Sequence, residues 1–548
     1  MTFLENIFAQ LEAAADTTLL HELREGQTVS VTGRQLLELV AKVRAFLAER
    51  SLKKGDRCAL LAHNGVDWVA TDLALMAEGL IVVPLYARQA PAELVSMMKD
   101  CSPTMICCGD EALRDAILRE WPDAPPRFLL KEILTENTGP NAAPSLSESD
   151  PVTIIYTSGT SGQAKGVVLT AGNVGFMLQR TSARLSILMK ERPGQDRVYQ
   201  YLPFCFAASW IALLTYLMRR SSITLNTDLT RIASEMRAVA PDYFLNVPAL
   251  LERMRKAVDE QLWKTGGFPL TVYSRAKGAW VRKREGKASF SDSLWLGLAR
   301  ALIVPTIRKK MIGANLKALI CGSAPLNVET QLYFMMLGIP VLQVYGLTET
   351  TGICTMDDPR AFVPGRVGPA VGGIEMKLGE NDEIIVCGPN IFRGYWNRLA
   401  ETAQALRDGW FHTGDQGEVD AAGNWRVVGR IKNLIVLGSG HKIGPEPIED
   451  EVLQNLPGAQ QIVLVGNGRG FLSAIITGDV TSEKVQAALD AVNPGLPHYK
   501  QIRAFHVRRE PFSIDNGLLT ANGKLKRDLI AARMKQEIDE MYTVKQAV

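Results

Sequence analysis

Residues 156–170 read YTSGTSGQAKGVVLT. The hydroxyl side chains of Thr157, Ser158, Thr160 and Ser161 are interleaved with Gly159 and Gly162 ahead of Lys165. Glycines let backbone N–H groups turn outward and approach an anion closely, the hydroxyls add donors, and the lysine adds a charge. That is chemistry for holding phosphate. It is not a Walker A loop, which needs Gly-Lys followed directly by Ser or Thr so that the hydroxyl reaches magnesium. Here Lys165 stands between Ala164 and Gly166.

Further stretches follow in order: ICGSAPL (Ile320 to Leu326), VYGLTETTG (Val344 to Gly352), GWFHTGDQGEVD (Gly409 to Asp420), GRIKNLIVLGSGHKIGPEPIE (Gly429 to Glu449) and LTANGKLKRDL (Leu519 to Leu529). With the opening motif they make a chain that resembles the adenylate-forming superfamily over nearly its whole length. That superfamily contains acyl-CoA synthetases, peptide-synthetase adenylation domains and luciferases. Within it, GYWNRLAETAQAL and the run YKQIRAFHVRREPFSIDNGLLTANGKLKR are similar to the long-chain fatty acid–CoA ligases.

The resemblance implies ATP, Mg2+ and coenzyme A as cofactors and two half-reactions: a carboxylate attacks the α-phosphate of ATP, then a thiol displaces AMP. Charge builds on phosphoryl oxygens, so catalysis should rest on positioning and electrostatics. By matching positions, Thr157, Ser158, Gly159, Thr160, Ser161, Gly162 and Lys165 would cradle the leaving phosphates. Gly322, Ser323, Tyr345 and Gly346 would flank the adenine. Thr348 would lie near the α-phosphate, and Glu349 would hold the magnesium, a hard cation that prefers oxygen ligands. Asp415, with two acceptor oxygens, would take both ribose hydroxyls, with Arg430 adding a ribose or phosphate contact. The pattern T-x-x-x-K-x-x-R from Thr520 to Arg527 selects Lys524 over Lys526 as the lysine that bridges the attacking carboxylate and the α-phosphate. Lys432 matches a hinge about which the small C-terminal domain of such enzymes rotates between half-reactions, and the loop around Gly440 would line the thiol's approach.

Two departures bear on the substrate. A proline usual in the motif is Ala164 here, and a histidine common after L-P-x-x is Phe206. No acidic residue lies between Tyr201 and Tyr216, so a substrate ammonium would find no partner, which disfavours an amino acid. Phe204, Phe206 and Trp210 suit an apolar acid, or are simply core residues. The expected function is ATP-dependent thioester formation from a medium- to long-chain or otherwise apolar carboxylic acid. The alternatives are an acyl-AMP ligase that loads a phosphopantetheinyl carrier protein, and a non-catalytic acyl or nucleotide sensor.

The elements that must position these residues follow from the apolar patterning. RCALLAHNG, IVVPLY and TMICCGD read as short buried strands, and LLELVAKVRAFLAERSLKKGD as a helix stopping at its Gly. Such alternation predicts an α/β fold with layered, mostly parallel sheets in a large domain, 1–431, and a small α+β domain, 432–548. At 548 residues the chain exceeds a single core. A net charge of +3 argues against a nucleic-acid partner. Eight scattered cysteines without a C-x-x-C pair and an N-terminus unlike a secretory signal predict a cytoplasmic protein. Residues 271–310 hold ten Lys or Arg against Glu285 and Asp292, with aromatics between them. They read as a solvated excursion, a flank for an anionic substrate, or a face for peripheral contact with the inner side of a membrane.

Overall fold

A computed structural model describes residues 1–24, 27–135, 146–158, 164–190, 194–284, 286–313, 315–520 and 523–543. The chain packs as two compact units. The first comprises Met1–Met376, Val386–Phe411 and Asp420–Trp425; the second comprises Lys377–Ile385, His412–Val419 and Arg426–Val548. The second unit therefore draws in two short segments from well before residue 432.

The first unit is built on two large sheets, mostly parallel. One has seven strands in the order Gly394–Tyr395, Ala164–Thr170, Pro151–Ser158, Ile81–Leu85, Arg57–Leu61, Met105–Cys108 and Arg127–Leu129. The expected strands in RCALL, IVVPL and MICC lie next to one another at its centre, in parallel pairs. Their residues are almost all buried, as continuous apolar runs of a sheet covered on both faces should be. The other sheet has eight strands, ordered Thr355–Met356, Val341–Tyr345, Ala318–Cys321, Tyr243–Asn246, Arg197–Gln200, Ser222–Asn226, Thr18–Arg24 and Gln27–Thr32. The five from Val341–Tyr345 to Ser222–Asn226 run parallel.

The predicted helix over LLELVAKVRAFLA is Gly33–Ala48, opened by a capping box in which Thr32 and Gln35 bond each other's backbone N–H. It ends at Glu49 and not at the expected Gly55, which lies in a later turn. The apolar run WIALLTYLM lies in a core helix, Ala207–Met218, with all but two residues buried. Most of the polar segment between Thr135 and Asp150 falls outside the described residues.

In the second unit, Ala459–Val465 and Leu472–Gly478 pair antiparallel, and Ile502–Arg508 adds in parallel to the latter. The helices Glu446–Asn455 and Ser482–Val492 supply Ile448, Val452, Val485 and Leu489 to the core on this sheet.

Candidate active site

Parallel strands present the loops after them at one end of a sheet, where ligands of open α/β sheets bind. In the eight-stranded sheet, the loops after Arg197–Gln200, Ala318–Cys321 and Val341–Tyr345 carry Phe204 and Phe206, Gly322 and Ser323, and Gly346 to Glu349. Gly322 donates its N–H to Asn246 O at 3.2 Å, and a Cβ on it would come within 2.7 Å of Val344 Cγ2. Only glycine leaves room here for the end of the neighbouring strand Val341–Tyr345. Ser323 is exposed and holds φ +72°, an unusual value for a residue with a side chain. A Cβ on Gly346 would lie 2.6 Å from Gly352 O, so the turn containing Thr348 and Glu349 folds tightly back on itself.

That turn is fixed from beneath. Thr351 donates its hydroxyl to Asn390 O at 2.7 Å, and Asn390 Nδ2 donates to Thr350 O at 3.2 Å. Phe392 N–H reaches Glu349 O at 2.9 Å. The same segment continues into Gly394–Tyr395, which pairs with Val167 and Val168 on the second strand of the glycine-rich hairpin. Three charged or polar groups meet as a result. Tyr395 donates its hydroxyl to Glu349 Oε1 at 2.8 Å. Lys165 Nζ sits 5.2 Å from the centre of the Tyr395 ring, within cation–π range. Lys165 itself stands opposite Thr157 in the hairpin. Of the expected phosphate cradle, Gly159, Thr160, Ser161 and Gly162 lie outside the described residues, as does the side chain of Ser158.

Glu349 is 9% exposed, with one carboxylate oxygen already taken. Among the described residues no group of three or more His, Cys, Asp or Glu side chains gathers anywhere. A lone, oriented carboxylate fits a magnesium ion that draws its remaining ligands from substrate phosphates and water; it does not fit an all-protein metal cage.

Of the three residues expected at the acyl group, Trp210 and Phe204 are 1% exposed. Trp210 donates its indole N–H to Asp72 Oδ2 at 2.8 Å, and Phe204 packs on Trp68. Burial raises the Asp72 carboxyl to about 7, with the Trp210 hydrogen bond pulling the other way. Phe206 is partly exposed, its ring 5.7 Å from that of Tyr86. Tyr86, Leu85, Trp68, Pro203 and Phe204 line a small cleft of about 40 Å³ together with Asn64, His63 and Arg88. No acidic residue lines it. A larger cavity, about 460 Å³, lies by His21, Arg197 and Glu235 and contains none of the expected site residues.

In the second unit, every residue of His412-Thr-Gly-Asp is anchored. His412 Nδ1 pairs with Glu383 Oε2 at 2.8 Å, Gly414 N–H donates to Glu383 Oε1 at 2.8 Å, and Thr413 donates its hydroxyl to Ile384 O at 2.6 Å. Asp415 is thereby held 3% exposed with Arg430 Nε 2.5 Å from its Oδ1. Lys432 follows on a short 3-10 turn, Ile431–Asn433. Burial first, then Arg430, lower its pKa. Gly440 turns at φ +83° between two short paired strands.

Lys524 is exposed on a closed turn. Thr520 N–H donates to Lys524 O at 2.8 Å, and Lys524 N–H returns to the Thr520 hydroxyl at 3.1 Å. This is the physical content of the Thr-to-Lys spacing. Three residues on, Arg527 forks onto the buried Glu449 with bonds of 2.6 and 2.5 Å, and Glu449 Oε1 also accepts from Leu464 N–H at 2.7 Å. The loop bearing Lys524 is thus pinned to the core of its unit by a pair that sequence reading passed over. Tyr395 lies within GYWN, a run in which nothing local singles it out.

Residues 7–396 match the AMP-binding enzyme family and residues 432–546 the AMP-binding enzyme C-terminal domain. The chain is 24% identical to the long-chain-fatty-acid–CoA ligase FadD15 of Mycobacterium bovis, over 96% of this chain and 94% of that one. O-succinylbenzoate coenzyme A synthetase (MenE) of Bacillus subtilis, solved with AMP, superposes with a TM-score of 0.75 at 20% identity, covering 96% of this chain and 97% of that one. The same enzyme solved with ATP and a magnesium ion gives 0.74 at 20% identity, over 96% and 98%. With two family domains matched in order, and with the mixed α/β fold of adenylate-forming enzymes, the chain belongs to the AMP-binding enzyme family, close to the fatty acid–CoA ligases.

Proposed function

We propose that this chain joins an apolar, medium- to long-chain carboxylic acid to coenzyme A in two half-reactions. In the first, a carboxylate oxygen bonds to the α-phosphorus of ATP and the bond to the bridging oxygen breaks, releasing pyrophosphate. In the second, the coenzyme A sulfur bonds to the acyl carbon, the bond to AMP breaks, and the thiol proton goes to solvent. The observation that carries this reading is the cluster of Lys165, Tyr395 and Glu349 beside the glycine-rich hairpin. Lys165 would offset the charge of the departing phosphates. Glu349 and the phosphates would share a magnesium ion, whose contribution is to neutralise oxygen charge. Tyr395 holds the Glu349 carboxylate in one orientation. Asp415, backed by Arg430, offers a buried carboxylate suited to the two ribose hydroxyls, and Lys524 would supply the positive charge that the first half-reaction needs. The cleft beside Phe204 contains Arg88 and His63 but no acid, which favours a carboxylate over an ammonium-bearing substrate; the relatives named as fatty-acid ligases favour an apolar chain.

The test is mass spectrometry of products from purified protein with Mg-ATP and pooled straight-chain acids, with and without coenzyme A. Acyl-CoA with AMP is the expected result. Acyl-adenylate that accumulates without thioester would overturn the acceptor and point to a carrier protein. The absence of both products would overturn the choice of acid.

A further inference from the structure

Residues 248–311 form helices Pro248–Thr265, Gly267–Arg284, Phe290–Leu298 and Val304–Met311, the last two joined by a π-helical stretch. Two contacts set the second and third helices antiparallel. Arg282 bonds the carboxylate of Asp292, at 2.5 and 3.1 Å, and the Arg275 guanidinium lies 5.0 Å from the centre of the Trp295 ring. Inward, Leu296, Ala299, Ile303 and Ile307 join the core that contains Leu251 and Met254. Outward, the stretch from Phe290 to Ala299 exposes Phe290, Ser291, Ser293, Leu294 and Gly297, none of them charged.

The exposure is large. Phe290 is 92% exposed, Trp263 72%, Phe268 61%, Leu294 59%, Leu302 52% and Val281 50%. Among the described residues, Phe290–Met311 is also the one helix long and apolar enough to cross a membrane. Its inner face is committed to the core, and Arg300, Arg308, Lys309 and Lys310 interrupt it, so it lies along the surface and does not span. The first helix carries Glu252, Asp259 and Glu260, but along the described residues of 267–311 the charge is one-sided. Asp292 is buried and consumed by Arg282, while Lys277, Lys283, Arg284, Arg300, Lys309 and Lys310 are exposed.

We infer that this face seats on an anionic lipid bilayer. Phe290, Leu294 and Leu302 enter the acyl boundary, and the surrounding lysines and arginines lie at the headgroups. Apolar side chains ringed by basic ones are what interfacial binding requires, and each cation near an anionic surface strengthens it. An acidic protein would satisfy the cations but would leave a 92%-exposed phenylalanine without a purpose.

The test uses the full chain and sedimented vesicles of phosphatidylcholine alone or with 40% phosphatidylglycerol, without ATP or acid, so its outcome is separate from that of the proposed activity. Binding is expected on the anionic vesicles at low salt and should fall as salt is raised. F290S/L294S should weaken it at least ~10-fold. K309Q/K310Q should weaken it by about fivefold per charge removed. Both variants should keep the parent's circular dichroism spectrum and thermal midpoint, so that a loss of binding is not a loss of fold. Absence of binding to anionic vesicles at low salt, equal binding to both vesicle types, or indifference to F290S/L294S would each overturn the inference. Retention on a polyglutamate column without vesicle binding would replace the lipid with an acidic protein.

Discussion

Replacing Tyr395 by phenylalanine isolates one atom of the site. The ring stays, so Lys165 keeps its face at 5.2 Å; what goes is the hydroxyl that donates to Glu349 Oε1 at 2.8 Å. A hydrogen bond to a charged group contributes ~1.5–3 kcal/mol. The lower end applies, because Tyr395 is partly exposed and water can take the place of the hydroxyl. At ~1.4 kcal/mol per decade, the expected loss is roughly 10-fold in kcat/KM for adenylate formation. Because Tyr395 orients Glu349, the magnesium concentration for half-maximal rate should rise as well. Tyr395→Ala also removes the ring from beneath Lys165, adding ~0.5–1 kcal/mol, or about another two- to fivefold.

Pyrophosphate exchange measures the first half-reaction, and thioester formation from supplied acyl-adenylate measures the second. The phenylalanine variant should be slow in the first and normal in the second. If it exchanges pyrophosphate within twofold of the parent at limiting magnesium, the hydroxyl does not orient the carboxylate. If both half-reactions fall equally, Tyr395 acts through general integrity and the reasoning fails.

Lys524→Ala should lower pyrophosphate exchange by roughly 10²–10³-fold, the usual cost of removing one charge-stabilising group, and leave the thioester step within a few-fold of the parent. Lys526→Ala is the control for register; the larger effect at Lys526 would refute the assignment. Asp72 gives a pH signature in stability. Burial holds its carboxyl at about 7 in the folded chain against 3.8 ordinarily, so between those values the unfolded chain loses a proton that the folded chain keeps. Stability from this group is therefore lost as pH rises from about 4 to 7, by up to ~4 kcal/mol, and is constant above. In urea titrations from pH 4 to 8, Asp72→Asn should remove that slope while leaving an acceptor for Trp210. Parallel stability–pH curves for the two proteins would show that Asp72 is ionised in the fold.

What was legible in the sequence was whatever depends on near neighbours. The Thr520-to-Lys524 spacing is closed by a backbone bond and by the Thr520 hydroxyl, and His412-Thr-Gly-Asp lies on one strand, with the His412 and Thr413 side chains and the Gly414 N–H all anchored beside Asp415. Buried strands such as those in RCALL and IVVPL announce themselves by unbroken apolar runs. Tyr395 is different in kind. It reaches Glu349 and Lys165 only because a two-residue strand adds to the edge of a sheet, Tyr395 opposite Val167 and 228 positions after it. No local pattern encodes that pairing. The pairing of Arg527 with Glu449, 78 positions apart, is hidden for the same reason: Arg527 closes a local pattern and Glu449 reads as an ordinary helix charge, and only the packed fold brings the two together and offsets their burial. Trp210 shows the converse. Its neighbourhood of aromatics fits either a substrate wall or a core residue, and only the fold shows its indole bonded to Asp72 across 138 positions. Spacing identifies residues that chemistry needs in a fixed order along the chain; the residues that orient them come from elsewhere in the chain, and their roles emerge only when the sheets are assembled.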